Sequence, residues 1–285
     1  MESKNGTRQT RLLTVVESCV SLTGVREFTR SGVDLVEGKR VKFYIGTSGW
    51  VYSHWRGLFY PEGLAQAKWL EFYSQHFATV ELNNSFYRLP SEKAFAGWRK
   101  RTMPDFVYAV KVGRLITHWR KLRNVEAELE TFFSRARLLG DKLGPLLYQL
   151  PPSMPRNDAL LQSFLDLLPG DLAHVFEFRH DSWLAEEVFS ILRKHGIGFC
   201  VYDMPGLTTP VIATADFAYV RFHGSDALYD SCYTDSQLQE WADRITQMGH
   251  DLVAVYVYFN NDSNAFSVGN ARTLATLLGA TAGKA

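Results

Sequence analysis

Eight short, β-rich apolar runs punctuate this chain at 43–47, 78–82, 106–110, 145–150, 174–178, 198–202, 218–222 and 253–259. Stretches with helical spacing separate most of them, at 64–77, 91–101, 125–140, 158–168, 184–195, 235–248 and 264–278. Plausible caps open several of these, such as Ser91 and the Thr234-Asp235 pair. The crossover at 204–216 contains Pro205, Gly206 and Pro210 and reads as irregular. Strand–helix alternation repeated eight times, with no linker between halves, predicts an α/β fold: a single (β/α)8 barrel of TIM type. A doubly wound open sheet is the other architecture this order allows, but no GxGxxG follows the first run. The barrel domain is expected over 41–280. Residues 1–40 carry mixed charge without a sustained period and read as a poorly packed extension.

Side chains alternate across a strand, so the parity of each run shows which face turns inward. Val175, Glu177 and Arg179 share one face, against Phe176 and Phe178 on the other. Tyr219, Arg221 and His223 oppose Val220 and Phe222, and Tyr256, Tyr258 and Asn260 oppose Val255, Val257 and Phe259. The bulky apolar faces must meet the helices, which leaves the polar faces for the barrel interior. The same parity puts Ser48, Glu81, Asn83, Lys111, Gln149 and Asp203 inside, near the strand ends. Every strand then delivers a polar side chain to its C-terminal end, where barrel enzymes keep their chemistry. A carboxylate in a strand as apolar as 78–82 is costly unless it is paired or faces a wet cavity. Glu81, Glu177 and Asp203 balance Lys111, Arg179 and Arg221, so a self-neutralising structural network competes with a functional cavity. Confinement of the polarity to one end favours the cavity.

Several function classes lose support. A net charge of +1 exerts no global pull on nucleic acid or anionic membranes, and no apolar run approaches the ~20 residues of a membrane span. Cys19, Cys200 and Cys232 are far apart and form no CxxC pair, so zinc knuckles and redox dithiols are unsupported and a cytoplasmic setting is expected. The segment Gly46-Thr47-Ser48-Gly49-Trp50 lacks the GK[ST] ending of a P-loop.

A set of short segments carries a family resemblance. They are Ile45 to Trp50 with Tyr52, Trp55 and Phe59-Tyr60-Pro61; Glu81 to Tyr87 with Pro90; Val110-Lys111; and Thr117-His118. Further on come Gln149-Leu150-Pro151-Pro152, Glu177 to His180 with Ser182-Trp183, and Asp203 with Pro205. The last are Tyr219 to Gly224, Phe259-Asn260-Asn261-Asp262 and Asn270-Ala271. Together they resemble the YecE-like family, also called domain of unknown function 72, over residues 43 to about 278. The resemblance implies a TIM-type barrel with a site at its mouth, and it brings no agreed reaction. The chain before Val41 departs from the pattern.

The interior residues define the chemistry to be expected. Arg221 can clamp a carboxylate or phosphate, and His223, two residues on, can move a proton near neutrality. Glu81 and Glu177, on roughly opposite walls, suit general acid–base work. Three nearby acids are expected to keep Lys111 charged and suited to anion binding. A divalent metal on Glu81, Glu177, Asp203 and His223 can be drawn, but three interior cations oppose it, so neither a metal nor another cofactor is expected. The expected function is a metal-independent hydrolase, lyase or isomerase acting on a small anionic, phosphorylated or sugar-like compound. Glu81, Glu177, His223 and Asp203 would be catalytic. Ser48, Asn83, Tyr87, Lys111, Gln149, Arg179, Arg221, Asn260 and Asn261 would bind the substrate. Two alternatives stand beside it. One is a protein that binds or processes nucleic acid through the basic rim 114–123 with exposed Trp50, Trp55 and Trp119. The other is a non-catalytic ligand-binding barrel.

Overall fold

A computed structural model of the chain describes residues 41–280, and the extension expected at 1–40 lies outside the described residues. The strands are β1 (Lys42–Thr47), β2 (Thr79–Leu82), β3 (Val107–Lys111), β4 (Leu143–Gln149), β5 (His174–Glu177), β6 (Gly198–Met204), β7 (Leu207–Thr208), β8 (Phe217–Phe222) and β9 (Ala254–Phe259). The helices are α1 (Trp69–His76), α2 (Asn84–Tyr87), α3 (Glu92–Arg101), α4 (Glu126–Ala136), α5 (Asp158–Leu165), α6 (Glu186–Lys194), α7 (Asp235–Gly249) and α8 (Phe266–Leu277). Apart from β7, a two-residue strand folded back antiparallel on β6, the strands run parallel in the order β1-β9-β8-β6-β5-β4-β3-β2. This is the expected (β/α)8 barrel. The irregular crossover is the tight β6–β7 turn followed by an unstructured return to β8, with no helix between them.

Local signals explain where the helices begin. The Ser91 side chain accepts from Ala94 N–H ahead of α3, and Asn157 accepts from Leu160 N–H ahead of α5. Thr234 and Gln237 form a reciprocal capping box at α7. The strand faces sort as alternation requires. Phe176, Phe178, Val220, Phe222, Val255, Val257 and Phe259 join the layer beneath the helices. Ala109, Leu147, Val175, Cys200, Tyr219 and Tyr258 fill the lumen instead. The barrel is therefore a packed interior floored with side chains, and the charged groups sit above that floor.

No β-ladder joins β1 to β2. A side chain from α1 bridges them: the Tyr73 hydroxyl accepts from Thr47 N–H at 3.0 Å and donates to the Thr79 carbonyl at 3.1 Å. Gly46 allows this approach, because a Cβ there would lie 2.2 Å from the Thr79 carbonyl oxygen. One buried hydroxyl thus stands in for the hydrogen bonds that close the other strand pairs.

Candidate functional site

The ends of β2, β5 and β8 assemble a buried ionic network at the top of the lumen. Arg221, on β8, donates from Nε and Nη2 to the two oxygens of Glu81, at 2.9 and 2.8 Å, and from Nη1 to Glu177 Oε2 at 2.6 Å. All three side chains are 0–1% exposed. Glu81 also accepts from Ser48 Oγ and from the Tyr219 hydroxyl, each at 2.7 Å. Glu177 Oε1 accepts from Arg179 Nε, and the Cys200 thiol lies 3.6 Å from Oε2. Burial by itself would raise both carboxyls. Arg221 and Lys111 more than offset it at Glu81, and Arg179 and Arg221 do so at Glu177, so both stay below the usual carboxylate range. Both are ionised at neutral pH and surrounded by donors.

Arg179 extends the network. Its guanidinium lies 4.3 Å from the centre of the Tyr202 ring, and Nη2 lies 2.8 Å from His223 Nε2. A guanidinium has no lone pair to offer, so His223 Nε2 must accept and the ring proton sits on Nδ1. Nδ1 lies 3.1 Å from Asn260 Nδ2, so for Nδ1–H to donate the Asn260 amide must turn its oxygen toward the ring. Burial, and then the charge of Arg221, push His223 well below its ordinary pKa, so the ring is neutral.

A cavity of about 320 Å³ opens above this network. Its walls are Tyr52, Asn83, Phe86, Tyr87, Lys111, Arg221, Tyr229, Asn260 and Asp262. Lys111, at the end of β3, is 9% exposed, donates from Nζ to Gln149 Oε1, and has Nζ 4.4 Å from the centre of the Phe86 ring. Burial, reinforced by Arg221, lowers its pKa to about 8 in spite of Glu177 and Glu81. The pKa thus falls although acids lie nearby, because burial outweighs them, and Lys111 stays mostly charged at pH 7. Asn83 also lines the cavity, and its Oδ1 is buried with no hydrogen-bond partner among the described residues. Asp262 lines the opposite side, and burial raises its carboxyl above the usual value.

Comparison with known proteins decides the family. Residues 44–285 match the model of DUF72, a family of proteins of unknown function. The chain belongs to the DUF72 family. It is similar to the UPF0759 protein YecE of Escherichia coli K12, at 28% identity over 243 residues, covering 76% of this chain and 85% of YecE. UPF0759 protein YunF of Bacillus subtilis is 27% identical over 268 residues, covering 82% of this chain and 94% of YunF. Among solved structures, a DUF72 protein of Thermotoga maritima superposes with a TM-score of 0.76 at 32% identity, covering 84% of this chain and 99% of that one. A DUF72 protein of Enterococcus faecalis, 20% identical, shares the fold with a TM-score of 0.74 over 84% of this chain and 96% of that one.

This DUF72 barrel brings Asn83, Tyr87, Lys111, Arg221 and Asn260 to the cavity wall. Ser48, Glu81, Gln149, Glu177, Arg179 and His223 form the bonded layer around and beneath it. Two expected site residues lie elsewhere. Asp203 is out of phase by one residue: Cys200 and Tyr202 turn toward Glu177 and Arg179, while Asp203 accepts from Thr208 and from the Tyr233 hydroxyl at 2.7 Å. Asn261 is fully buried and ties the loop after β8 to α8, donating to the Ser231 carbonyl and to Asn270 Oδ1. The four-residue metal set therefore does not assemble, and among the described residues no cluster of His, Cys, Asp and Glu is placed to hold a metal ion.

Parity missed four of the cavity residues: Tyr52, Phe86, Tyr229 and Asp262. Tyr52 and Asp262 follow strand ends within the family segments quoted above, and Phe86 lies beside Tyr87, so their neighbours were the available signal. Tyr229 sits in the loop after β8 with a φ of 64°, where no periodic pattern exists. Its N–H donates to the His223 carbonyl at 2.6 Å, which holds the ring over the mouth. At that loop's start, Gly224 has a φ of 109° and passes so close to Ala227 that a Cβ would lie 2.3 Å from its carbonyl oxygen.

The rim also differs from expectation. Trp50 and Trp55 are buried rather than exposed; Trp55 Nε1 donates to the Asp262 carbonyl at 2.9 Å. Trp119 is 64% exposed and Tyr87 67%, and the Arg114 guanidinium lies between them, 4.8 and 5.7 Å from the two ring centres. Among the described residues, no helix is long and apolar enough to cross a membrane.

Proposed function

We propose that the mouth of this barrel binds a small anionic, hydroxyl-bearing compound, phosphorylated or sugar-like, and acts on it by metal-independent acid–base chemistry. The observation that carries this is the charge balance around the 320 Å³ cavity. Glu81 and Glu177 are matched by Arg221 and Arg179, which leaves Lys111 as a cation bonded to no carboxylate, on a wall that also holds Arg221 and one carboxylate, Asp262. Arg221 has five N–H donors and uses three on the carboxylates. The unpartnered Asn83 Oδ1 adds an acceptor suited to a hydroxyl.

Within this proposal Glu81 and Glu177 supply fixed charge and hold Arg221 in place. A carboxyl kept below the usual range and saturated with donors is a poor proton carrier at neutral pH. Lys111, with a pKa of about 8, is the group in the mouth matched to proton transfer near neutrality. The neutral His223 is linked to the cavity through Asn260. The same pairing supports metal-independent chemistry, since guanidinium groups occupy carboxylate oxygens that a metal would need.

Thermal unfolding against a panel of sugar phosphates, hydroxy-carboxylates and short oligonucleotides tests the proposal. A true ligand at a hundredfold excess over its Kd stabilises the protein by about 2.7 kcal/mol. The expected result is a shift with a small anion that is lost in Asn83→Ala and in Lys111→Met. A panel in which neutral compounds and anions shift the transition equally would refute it.

Binding of nucleic acid along 114–123 is a second proposal, supported by the Tyr87–Arg114–Trp119 stack and its two exposed rings. Salt-dependent oligonucleotide binding that disappears in an Arg120→Ala/Lys121→Ala/Arg123→Ala variant is its signature.

A further inference from the structure

We propose that Lys111 Nζ is a nucleophile that forms an imine with the carbonyl group of a small anionic aldehyde or keto acid bound in the barrel mouth. The inference rests on the small-anion proposal and narrows its substrate class to carbonyl compounds. Four features of the site support it.

Lys111 ends a barrel strand at the C-terminal face and lines the cavity directly, so its Nζ is within reach of a bound molecule. Its hydrogen-bond partner is the neutral amide of Gln149. Neither network carboxylate binds it, since Glu81 is bonded to Ser48, Tyr219 and Arg221, and Glu177 to Arg179 and Arg221. An amine held by an amide can lose a proton without leaving a buried carboxylate unpaired. The Phe86 ring covers one side of Nζ and limits its hydration.

The reaction balances without an external reagent. The lone pair of the neutral amine attacks the carbonyl carbon, and the carbonyl π electrons pass to oxygen, giving a carbinolamine. That oxygen is protonated and leaves as water while the C=N bond forms and nitrogen loses its proton. One amine and one carbonyl become one imine and one water. Asp262 lines the cavity, and burial raises its carboxyl above the usual value, the direction that favours passing a proton to the departing oxygen. Arg221, which also lines the cavity, receives the substrate's own carboxylate or phosphate.

The charged or titratable groups around Nζ are Arg221 and Arg179, which disfavour its protonation, Glu177 and Glu81, which favour it, His118 and His223, and on the cavity wall Asp262, Tyr52, Tyr87 and Tyr229. With a pKa of about 8, roughly a tenth of Lys111 is free amine at pH 7. An exposed lysine near 10.4 has less than about a thousandth.

The test is reductive trapping of the full-length protein with limiting glyoxylate and cyanoborohydride at pH 7, read by peptide mass spectrometry. The expected result is a carboxymethyl group on Lys111 formed at least about tenfold faster than on exposed Lys93 and Lys100, saturating with glyoxylate. Its rate should rise through an apparent pKa near 8. Lys111 reacting no faster than Lys93 and Lys100 would overturn the inference. If small anions still stabilise the protein in that case, the binding proposal survives and only the covalent step is lost. If neither trapping nor stabilisation occurs, both fail.

Discussion

Replacing Arg221 by methionine is the sharpest test of what holds the barrel mouth together. The change keeps much of the side chain's length and removes a guanidinium that donates three hydrogen bonds to two fully buried carboxylates. Glu81 would keep Ser48 and Tyr219, and Glu177 would keep Arg179, so desolvation is only partly uncompensated. Removing one partner of a buried ion pair costs about 3–5 kcal/mol. At roughly 2–4 °C per kcal/mol for a domain of this size, Tm should fall by roughly 6–20 °C.

The loss should depend on pH with a defined sign. In the native protein both glutamates have lowered pKa values, so they stabilise the fold above the unfolded value of 4.5, and that stability fades as pH falls through their folded values. Without Arg221, burial pushes Glu81 upward, and mild acid protonates it and relieves the penalty. Thermal and urea unfolding of both proteins, from pH 7 down to about pH 4.5, should therefore show the gap narrowing. A Glu81→Gln/Arg221→Met double variant should recover part of the loss at pH 7, through coupling between the two sites. A loss below about 1 kcal/mol at pH 7, or a gap independent of pH, would show that the network does not hold the mouth in this way.

Three further perturbations probe other parts of the molecule. Tyr73→Phe leaves Thr47 N–H and the Thr79 carbonyl unpaired across the β1–β2 seam and should cost about 1–3 kcal/mol in urea unfolding; an unchanged midpoint would mean the seam closes by other contacts. Gly46→Ala places a Cβ against the Thr79 carbonyl oxygen and should destabilise by at least about 1–3 kcal/mol, more than a matched Gly97→Ala change, where nothing lies nearby. Lys111→Met removes a base whose folded pKa lies below its unfolded one. The native protein should therefore gain stability relative to this variant as pH rises from about 8 to 10.5, and a constant difference across that window would contradict the lowered pKa.

How much of this was legible in the sequence depends on contrast between the two faces of each strand. In β5, β8 and β9 large apolar residues alternate with polar ones, so the interior positions of Glu177, Arg221 and Asn260 could be read directly. The β6 sequence Gly-Phe-Cys-Val-Tyr-Asp-Met is apolar on both faces until its end, and parity there put Asp203 on the wrong side. Electrostatics were less legible, because counting acids near Lys111 does not reveal which are already paired or how deeply the amine is buried. Aromatic exposure failed for a related reason. The segment from Gly49 to Tyr60 has few regular elements, yet Trp50 packs edge-on against Trp98, Trp55 against Phe59, and Tyr60 stacks on Trp69, so a stretch without sequence periodicity joins the main apolar layer.

The Tyr73 bridge gives the barrel a weak stave. Elsewhere around the wall, separating two strands breaks a ladder, whereas parting β1 from β2 requires that one phenol let go of two backbone groups and that Ser48 release Glu81. The Thr47 amide should therefore exchange with deuterium ahead of the Ser48 amide, which donates to the Phe259 carbonyl at the end of β9. Ser48 follows Thr47 and Glu81 lies two residues beyond Thr79, so the β1–β2 seam runs up to one wall of the ionic network. An opening there would give water a route to Glu81 through the wall rather than through the mouth.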